Sequence, residues 1–154
     1  MRRIFVYGTL LRGGPNHHLL SSSTFVCAAR TVAELYMLSN ETTSPPHETY
    51  KYPYLVSVQL VPSLIANQAV GEVYEIDDPT LSRLDELEGV EYERRRVEVT
   101  RVDAGDDGCA SLECETYVLA HAPTMERIAK SLNDPTNGFK IVPNCDWRAF
   151  IGGY

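Results

Sequence analysis

Short runs of β-branched and aromatic residues, separated by glycine, proline and polar turns, make up most of the chain. The first run, residues 3–7 (RIFVY), ends at Gly8 and predicts an opening strand. A modest helical pattern occupies residues 124–132. Further strands are expected at residues 25–38, 54–61, 69–74, 95–102 and 115–120. About six short strands with few helices predict an α+β domain whose sheet can close on itself.

The clearest helical pattern lies in residues 80–89, TLSRLDELEG. At about 100° per residue, Leu81, Leu84 and Leu87 form one apolar stripe along this helix. Glu88 falls inside that stripe, because it lies four residues after Leu84 and seven after Leu81. A carboxyl group on the apolar side of a helix is a candidate for chemistry.

Turn residues bound the predicted helices and loops. Residues 77–79 (DDP) provide an N-cap followed by proline at the first helical position, and Gly89 predicts a left-handed C-cap. Residues 40–50 (NETTSPPHETY) are rich in turn residues and predict a surface loop. A short helical turn is expected at residues 16–20, with Asn16 as its N-cap.

Two effects are expected to raise the pKa of Glu88. Burial among leucines disfavours the charged carboxylate, and the negative end of the helix dipole acts in the same direction. Both move the pKa toward the range in which one carboxyl group can accept and donate a proton. Alternatively, the helix frays before residue 88 and this side chain faces water. Tyr92 and Arg94, in phase on the following strand, either line the same cleft or pack and pair with surface acids.

The turn after the first strand, Tyr7-Gly8-Thr9-Leu10, is the second candidate. Glycine permits a positive φ, and consecutive backbone N–H groups can then converge on an anion or a carbonyl oxygen. Many strands end at a glycine turn for structural reasons alone. The pattern by itself therefore does not distinguish a binding turn from a structural one.

Composition and charge narrow the classes of partner. The 154 residues fit one domain, with 44% hydrophobic residues and a net charge of -7 at pH 7. A negative net charge repels the phosphate backbone of a nucleic acid. The one basic run, residues 94–96, is flanked by glutamates and therefore does not offset this repulsion. No apolar window approaches the roughly 18 residues of a membrane span, and no signal peptide is recognisable. We expect a single domain over residues 1–154, cytoplasmic and without nucleic-acid or membrane partners.

Metal and nucleotide chemistry lack their usual motifs. The four cysteines form no CxxC pair, and the adjacent His17 and His18 point apart. The glycines of residues 10–15 (LLRGGP) fit neither a Walker loop nor a dinucleotide-binding loop. A disulfide between Cys109 and Cys114 is conceivable, but reduced thiols in a cytosol are favoured. We expect no metal site.

Several of these segments stand in the order and spacing of one known family. They are FVYGTLLRGGPNHHLL (residues 5–20), Tyr52-Pro53, GEVYEID (residues 71–77) and LDELEG (residues 84–89), followed by Tyr92 and Arg94. With them the chain resembles the gamma-glutamylcyclotransferase-like superfamily and, within it, the gamma-glutamylamine cyclotransferase branch. Beyond residue 102 little matches except a tail that contains Trp147.

The resemblance implies a fold, an activity and a site. The fold would be a small mixed β-barrel with short helices. The reaction would release 5-oxoproline from γ-glutamyl amines or amino acids by attack of the α-amine, without hydrolysis, metal or cofactor. By position, Tyr7, Gly8, Thr9 and Leu10 correspond to the family's substrate-binding turn, and Glu88 corresponds to its catalytic acid/base.

The resemblance leaves the small-molecule substrate open. The γ-glutamyl-ε-lysine remnant of crosslink degradation is the first substrate to test, ahead of other γ-glutamyl amino acids and glutathione-like peptides. Residues 65–69 and the acidic turn at residues 103–108 depart from the family pattern and are candidates for the border of the cleft. The alternative is a non-catalytic member that keeps the cleft as a small-molecule or partner-binding module. The oligomeric state cannot be read from these patterns.

Overall fold

The computed structural model describes residues 2–44, 48–62, 64–102, 111–132 and 139–154. Within these ranges the chain forms seven strands and three α-helices, joined by turns and short 3₁₀ segments. In chain order they are β1 (Arg2–Val6), β2 (Thr24–Ser44), β3 (Glu48–Val56), β4 (Asn67–Ile76), α1 (Asp78–Glu88), β5 (Tyr92–Arg101), β6 (Ser111–Leu119), α2 (Ala122–Ser131), β7 (Phe139–Ile141) and α3 (Trp147–Ile151).

Five of the described strands close into a mixed barrel. Their order is β2-β4-β1-β6-β5, and β5 returns to β2 through three residue pairs centred on Arg30↔Thr100. β1 and β6 are parallel, paired at Ile4↔Glu115, whereas the other neighbours are antiparallel. Closure leaves these barrel strands without an unpaired edge. The structure thus confirms the α+β mixed barrel that the resemblance implied.

β2 takes part in two groups of strands. Its first half pairs with β4 and β5 in the barrel, and its second half pairs with β3 and β7 outside it. Register shifts between Phe25 and Cys27 and between Arg30 and Glu34 are irregularities of the kind that bend a strand. The β2–β3 hairpin therefore stands beside the barrel and can form one wall of a cleft.

Two apolar clusters hold these elements together. The larger one fills the barrel and includes Ile4 and, from α3, Trp147. The smaller one lies between the β2–β3 hairpin and α2 and includes Tyr54 and Ile128. Fully burying one large apolar side chain is worth about 1.5–3 kcal/mol, so each cluster contributes substantially to folding. Tyr92 packs against both clusters and marks the place where they meet.

The prediction of a surface loop at residues 40–50 is wrong for residues 40–44 and 48–50, which lie in strands β2 and β3. Asn40 lies inside β2 and pairs with Tyr52 of β3. Its buried side chain donates hydrogen bonds to the hydroxyl groups of Tyr52 (2.6 Å) and Tyr54 (3.2 Å). These partners satisfy an amide that on its own would favour a turn. Residues 45–47 lie outside the described ranges.

α1 begins where the sequence predicts. The side chain of Asp77 accepts a hydrogen bond from the backbone N–H of Thr80 at 2.9 Å, and Pro79 lies in the first turn. At the other end Gly89 has the expected positive φ of 66°, but its ψ of -153° is not that of a left-handed helical cap. The chain instead continues through a 3₁₀ turn, Gly89–Glu91, which leads directly into β5.

Candidate active site

A cavity of about 280 Å³ opens at the end of β1. Its walls come from the turn after β1, from β3, from the last turn of α1 and from the start of β5. Five lining residues are those named by the sequence analysis, Tyr7, Gly8, Thr9, Leu10 and Glu88. Residues distant in sequence therefore meet around one space. Further lining residues used below are Asn16, Tyr52, Pro53, Leu87, Glu91, Tyr92 and Tyr117.

Gly8 is packed closely against Pro53. A Cβ atom at Gly8 would lie 2.4 Å from Pro53 Cγ, closer than two carbon atoms can approach. Gly8 does not have a positive φ, so the conformational reason predicted for this glycine is wrong. Close approach of β3 to the turn is what requires the absence of a side chain.

The turn after β1 is stabilised by hydrogen bonds from Asn16. The Asn16 backbone N–H donates to the Thr9 carbonyl oxygen at 3.0 Å, and the Asn16 side-chain amide donates to Thr9 Oγ1 at 3.0 Å. Asn16 thus braces the turn. It is the N-cap residue of the 3₁₀ turn His17–Leu20, as predicted, but its side chain makes no capping hydrogen bond. Among the described residues, the backbone N–H groups of Gly8, Thr9 and Leu10 have no acceptor. Such N–H groups beside a cavity are available to an anionic or carbonyl group of a ligand.

Glu88 is the last residue of α1, and its half-buried side chain lines the cavity. Within the described part of the chain, no hydrogen bond or ion pair to this carboxyl group is present. Burial raises the pKa of Glu88 from 4.5 to about 7. The charged form is destabilised because water is partly removed and no partner replaces it. A carboxyl group in this state can both accept and donate a proton near neutral pH.

The apolar stripe of α1 is shorter than predicted. Leu81 and Leu84 are buried, but Leu87 is 42% exposed and lies at the cavity. The buried residues of α1 lie in its first two turns, whereas Leu87 and Glu88 of the last turn line the cavity. Glu88 therefore borders a space rather than a packed core, which leaves room for a ligand beside it.

Two tyrosines form a wall next to Glu88. The Tyr7 hydroxyl donates to the Tyr117 carbonyl oxygen at 2.6 Å, and the Tyr92 hydroxyl donates to the Pro53 carbonyl oxygen at 3.0 Å. Burial raises the pKa of both tyrosines well above the usual value, and the negative charge of Glu88 raises it further. Both hydroxyls stay protonated and committed as donors, so they shape the cavity without exchanging protons near neutral pH.

Arg94 pairs with acids, whereas Tyr92 lines the cavity. The guanidinium group of Arg94 donates to Asp85 of α1 and to Glu115 of β6, the latter at 2.7 Å. The Tyr117 hydroxyl also donates to Asp85, at 2.6 Å. Asp85 thereby ties the third turn of α1 to β5 and β6. The sequence shows Asp85 only at the edge of the apolar stripe, so its partners could not be predicted.

Sequence reasoning also missed Glu91. Its Oε2 accepts hydrogen bonds from the Tyr54 hydroxyl and from Thr124 Oγ1, both at 3.0 Å, and its side chain lines the cavity. Its donors lie 37 and 33 residues away in the chain. The 3₁₀ turn after α1, with three residues per turn, places it on the same side as Glu88. That turn could have been anticipated from Gly89, but the two donors could not.

The described ranges contain neither a cluster of metal ligands nor a membrane-spanning helix. There, no three side chains of His, Cys, Asp or Glu are arranged to hold a metal ion. No helix in the same ranges is long and apolar enough to cross a membrane. Cys27, Cys114 and Cys145 are buried. Residues 103–110, which include Cys109 and the acidic turn, lie outside the described part of the chain.

The chain matches the family model described as gamma-glutamyl cyclotransferase, AIG2-like, over residues 4–149. It is 32% identical over 135 residues to the gamma-glutamylaminecyclotransferase of Rattus norvegicus, an alignment that covers 80% of this chain and 82% of the rat protein. The corresponding protein of Bos taurus is 31% identical over 128 residues, covering 78% of this chain and 67% of the bovine protein.

Solved structures give the same assignment. The crystal structure of an AIG2-like protein from Mus musculus superposes with a TM-score of 0.57 and 28% sequence identity, covering 82% of each chain. The matched residues 4–149 span the barrel, the cavity and Glu88. These findings confirm the predicted resemblance and indicate gamma-glutamylcyclotransferase activity. The chain belongs to the gamma-glutamyl cyclotransferase, AIG2-like family.

Proposed function

We propose that this protein is a gamma-glutamylamine cyclotransferase that releases 5-oxoproline from γ-glutamyl amines such as γ-glutamyl-ε-lysine, with Glu88 as general acid/base. The observation that carries the proposal is one cavity that holds a carboxyl group with a pKa of about 7 beside unpaired backbone N–H groups. The names of the rat and bovine relatives support the amine type of substrate.

The substrate carries its own nucleophile in this reaction. The α-amine attacks the γ-carbonyl carbon, a new C–N bond closes the five-membered ring, and the bond to the departing amine breaks. Water is not consumed. Well-oriented intramolecular reactions gain up to about 7–11 kcal/mol from proximity, so holding the glutamyl chain folded supplies much of the rate enhancement.

Glu88 moves protons in both halves of the reaction. As a carboxylate it takes a proton from the α-ammonium group, which frees the nitrogen lone pair for attack. As a carboxylic acid it then gives that proton to the nitrogen of the departing amine. The ring nitrogen also loses a second proton to become the amide N–H of 5-oxoproline; the regenerated carboxylate takes this proton and passes it to the released amine, which leaves as an ammonium ion. A pKa of about 7 suits both roles, because neither ionisation state is strongly disfavoured near neutral pH.

The turn after β1 binds the glutamyl group. The N–H groups of Gly8, Thr9 and Leu10, which have no acceptor within the described ranges, suit the substrate α-carboxylate or the oxyanion that develops on the γ-carbonyl oxygen. Loss of one such donor typically raises a barrier by about 3 kcal/mol. Tyr7 contributes the wall beneath this turn, with its hydroxyl fixed on the Tyr117 carbonyl oxygen.

The test measures 5-oxoproline released from γ-glutamyl-ε-lysine and γ-glutamyl-alanine by the purified protein. We expect Glu88→Gln to keep the fold and to reduce turnover by about 10²–10⁴-fold, the usual contribution of a general acid/base. Glu86→Gln is the matched control, since Glu86 is an exposed carboxylate in the same turn of α1. It is expected to retain turnover.

Two results would contradict the proposal. Comparable release of 5-oxoproline by the Glu88→Gln variant would remove Glu88 from the reaction. Folded wild-type protein that binds γ-glutamyl compounds in calorimetry, yet releases no 5-oxoproline from any of them, would favour the non-catalytic binding alternative.

A further inference from the structure

The carboxyl group of Glu91 is fixed from one side by buried donors. Tyr54 and Thr124, which donate to its Oε2 at 3.0 Å, are 0% and 4% exposed. Each donor is itself held, because the Tyr54 hydroxyl accepts from Asn40 at 3.2 Å and the Thr124 hydroxyl lies 2.8 Å from His121 Nδ1. Glu91 is therefore held in place by a network that spans the β2–β3 hairpin and α2.

The other side of this carboxyl group is open to a ligand. Among the described residues, no donor reaches Oε1 of Glu91 and no lysine or arginine forms an ion pair with it. Among the described residues that line the cavity, the charged ones are Glu88 and Glu91, both acidic, and none is a lysine, arginine or histidine. A positive group on a ligand would be attracted into this space, and a second carboxylate would be repelled.

The proposed reaction leaves the Glu91 end of the cavity for the departing amine. The glutamyl group must lie between the turn of residues 8–10 and Glu88, since Glu88 exchanges protons with both reacting nitrogens. Glu91 comes one 3₁₀ turn after Glu88 and is joined to the hairpin and to α2 rather than to the turn after β1. With the glutamyl group in that position, the space beside Glu91 remains for the departing amine.

From these observations we infer that Glu91 is a specificity-determining residue that pairs with a second positive charge on the departing amine. The inference rests on the proposed function and names a substrate class within it. The preferred substrates are γ-glutamyl derivatives of diamines and of other amines that carry a second ammonium group. Derivatives whose departing amine carries only a carboxylate are disfavoured.

The experiment compares matched pairs of substrates. Each pair consists of a γ-glutamyl α,ω-diamine and the γ-glutamyl n-alkylamine of the same length, with three, four and five carbons. We expect kcat/KM of the wild-type protein to favour the diamine by about tenfold or more for at least one length, the size expected of one hydrogen-bonded charge pair. Glu91→Gln should bring this ratio close to one.

Glu93→Gln is the control, because Glu93 carries the same charge two residues away on the exposed side of β5, where it pairs with Arg95. It should keep the wild-type ratio, which separates a local contact from a general change in net charge. The wild-type protein offers a second readout if Glu91→Gln folds poorly. Free diamines should then inhibit as products about tenfold more strongly than the matched alkylamines.

The outcomes separate this inference from the proposed function. A wild-type ratio near one for all three lengths, or a Glu91→Gln variant that loses activity equally on both members of each pair, would overturn the role of Glu91 in specificity. Absence of 5-oxoproline from every substrate, including γ-glutamyl-ε-lysine, would instead overturn the proposed function itself.

Discussion

Two carboxyl groups of this protein are at least partly buried, but only one of them has hydrogen-bond and ion-pair partners among the described residues. Glu72 of β4 is 7% exposed, and its Oε1 accepts from the backbone N–H of Arg12 at 2.8 Å, with the guanidinium group of Arg148 at 3.7 Å. Glu88 at the end of α1 is half-buried and has no partner among the described residues. One carboxylate is thus compensated, and the other is not.

The difference separates a carboxylate that is paired within the fold from the one that we propose as acid/base. Glu72 ties Arg12, in the loop that follows the turn after β1, to the barrel and to α3, so its buried charge serves the fold. Burial raises the pKa of Glu88, and no described residue pairs with its charged form. Both residues belong to sequence motifs of the family, GEVYEID and LDELEG. Membership of a motif therefore does not reveal function; the partners of the side chain do.

The largest stability effect is expected at Glu72. Glu72→Ala leaves the N–H of Arg12 without its acceptor and removes the partner of Arg148, so we expect the free energy of unfolding to fall by about 2–3 kcal/mol. Urea titration measures this loss, and turnover per folded molecule is the contrasting readout. A change in stability within experimental error would show that Glu72 is not the structural member of the pair.

Glu88→Gln is expected to change stability in the opposite direction. Since the pKa of Glu88 rises from 4.5 to about 7 on folding, the native state binds this proton more tightly than the unfolded chain. Between those two pH values, the contribution of Glu88 to the free energy of unfolding falls as pH rises, by about 1–3 kcal/mol in total. Above pH 7 the variant should be more stable by this amount.

Unfolding by urea at about pH 5 and about pH 8 tests that expectation for both proteins. Wild-type protein should lose stability over the interval relative to Glu88→Gln. An identical pH dependence of the two proteins would mean that Glu88 is not desolvated in the folded state.

The pH dependence of turnover sharpens the comparison further. If Glu88 must be ionised to take the first proton, kcat/KM should rise about tenfold per pH unit below an apparent pKa near 7 and then level off. Tyr7 and Tyr92 should not contribute in this range, because burial raises the pKa of each well above its usual value. A profile that is flat between about pH 5.5 and pH 8 would argue against Glu88 as the base.

The smallest effect is expected at Asp85, which holds the turn of α1 before Glu88. Asp85→Asn weakens the contacts with Arg94 and with the Tyr117 hydroxyl, so Glu88 should be less precisely placed. We expect kcat to fall about three- to tenfold with a smaller change in KM, since misplacement affects the chemical step most. Partial recovery by Asp85→Glu would support positioning; equal losses in kcat and binding for both variants would not.

The local parts of this site could be predicted from the sequence. The start of α1 follows from the Asp77 cap, which depends on atoms three residues apart. The phase of Glu88 follows from its spacing to Leu84, and the motifs around Gly8 identify the family. The prediction that Leu87 is buried was wrong. Helical periodicity shows which side of a helix is apolar, but it does not show how far the neighbouring core extends along that side.

The other features of the fold and of the site depend on contacts between residues that are far apart in the sequence. Asn40 became a strand residue because two tyrosines of β3 accept from its amide, and Gly8 is needed because Pro53 packs against it. Glu91 and Asp85 acquired their roles from donors that other strands and helices bring to them. By itself the sequence determined the helical periodicity, the Asp77 cap and the acid of the last helical turn, since these depend on neighbours a few residues away. Only the tertiary structure decided which carboxyl groups are paired, since closure of the barrel selects their partners.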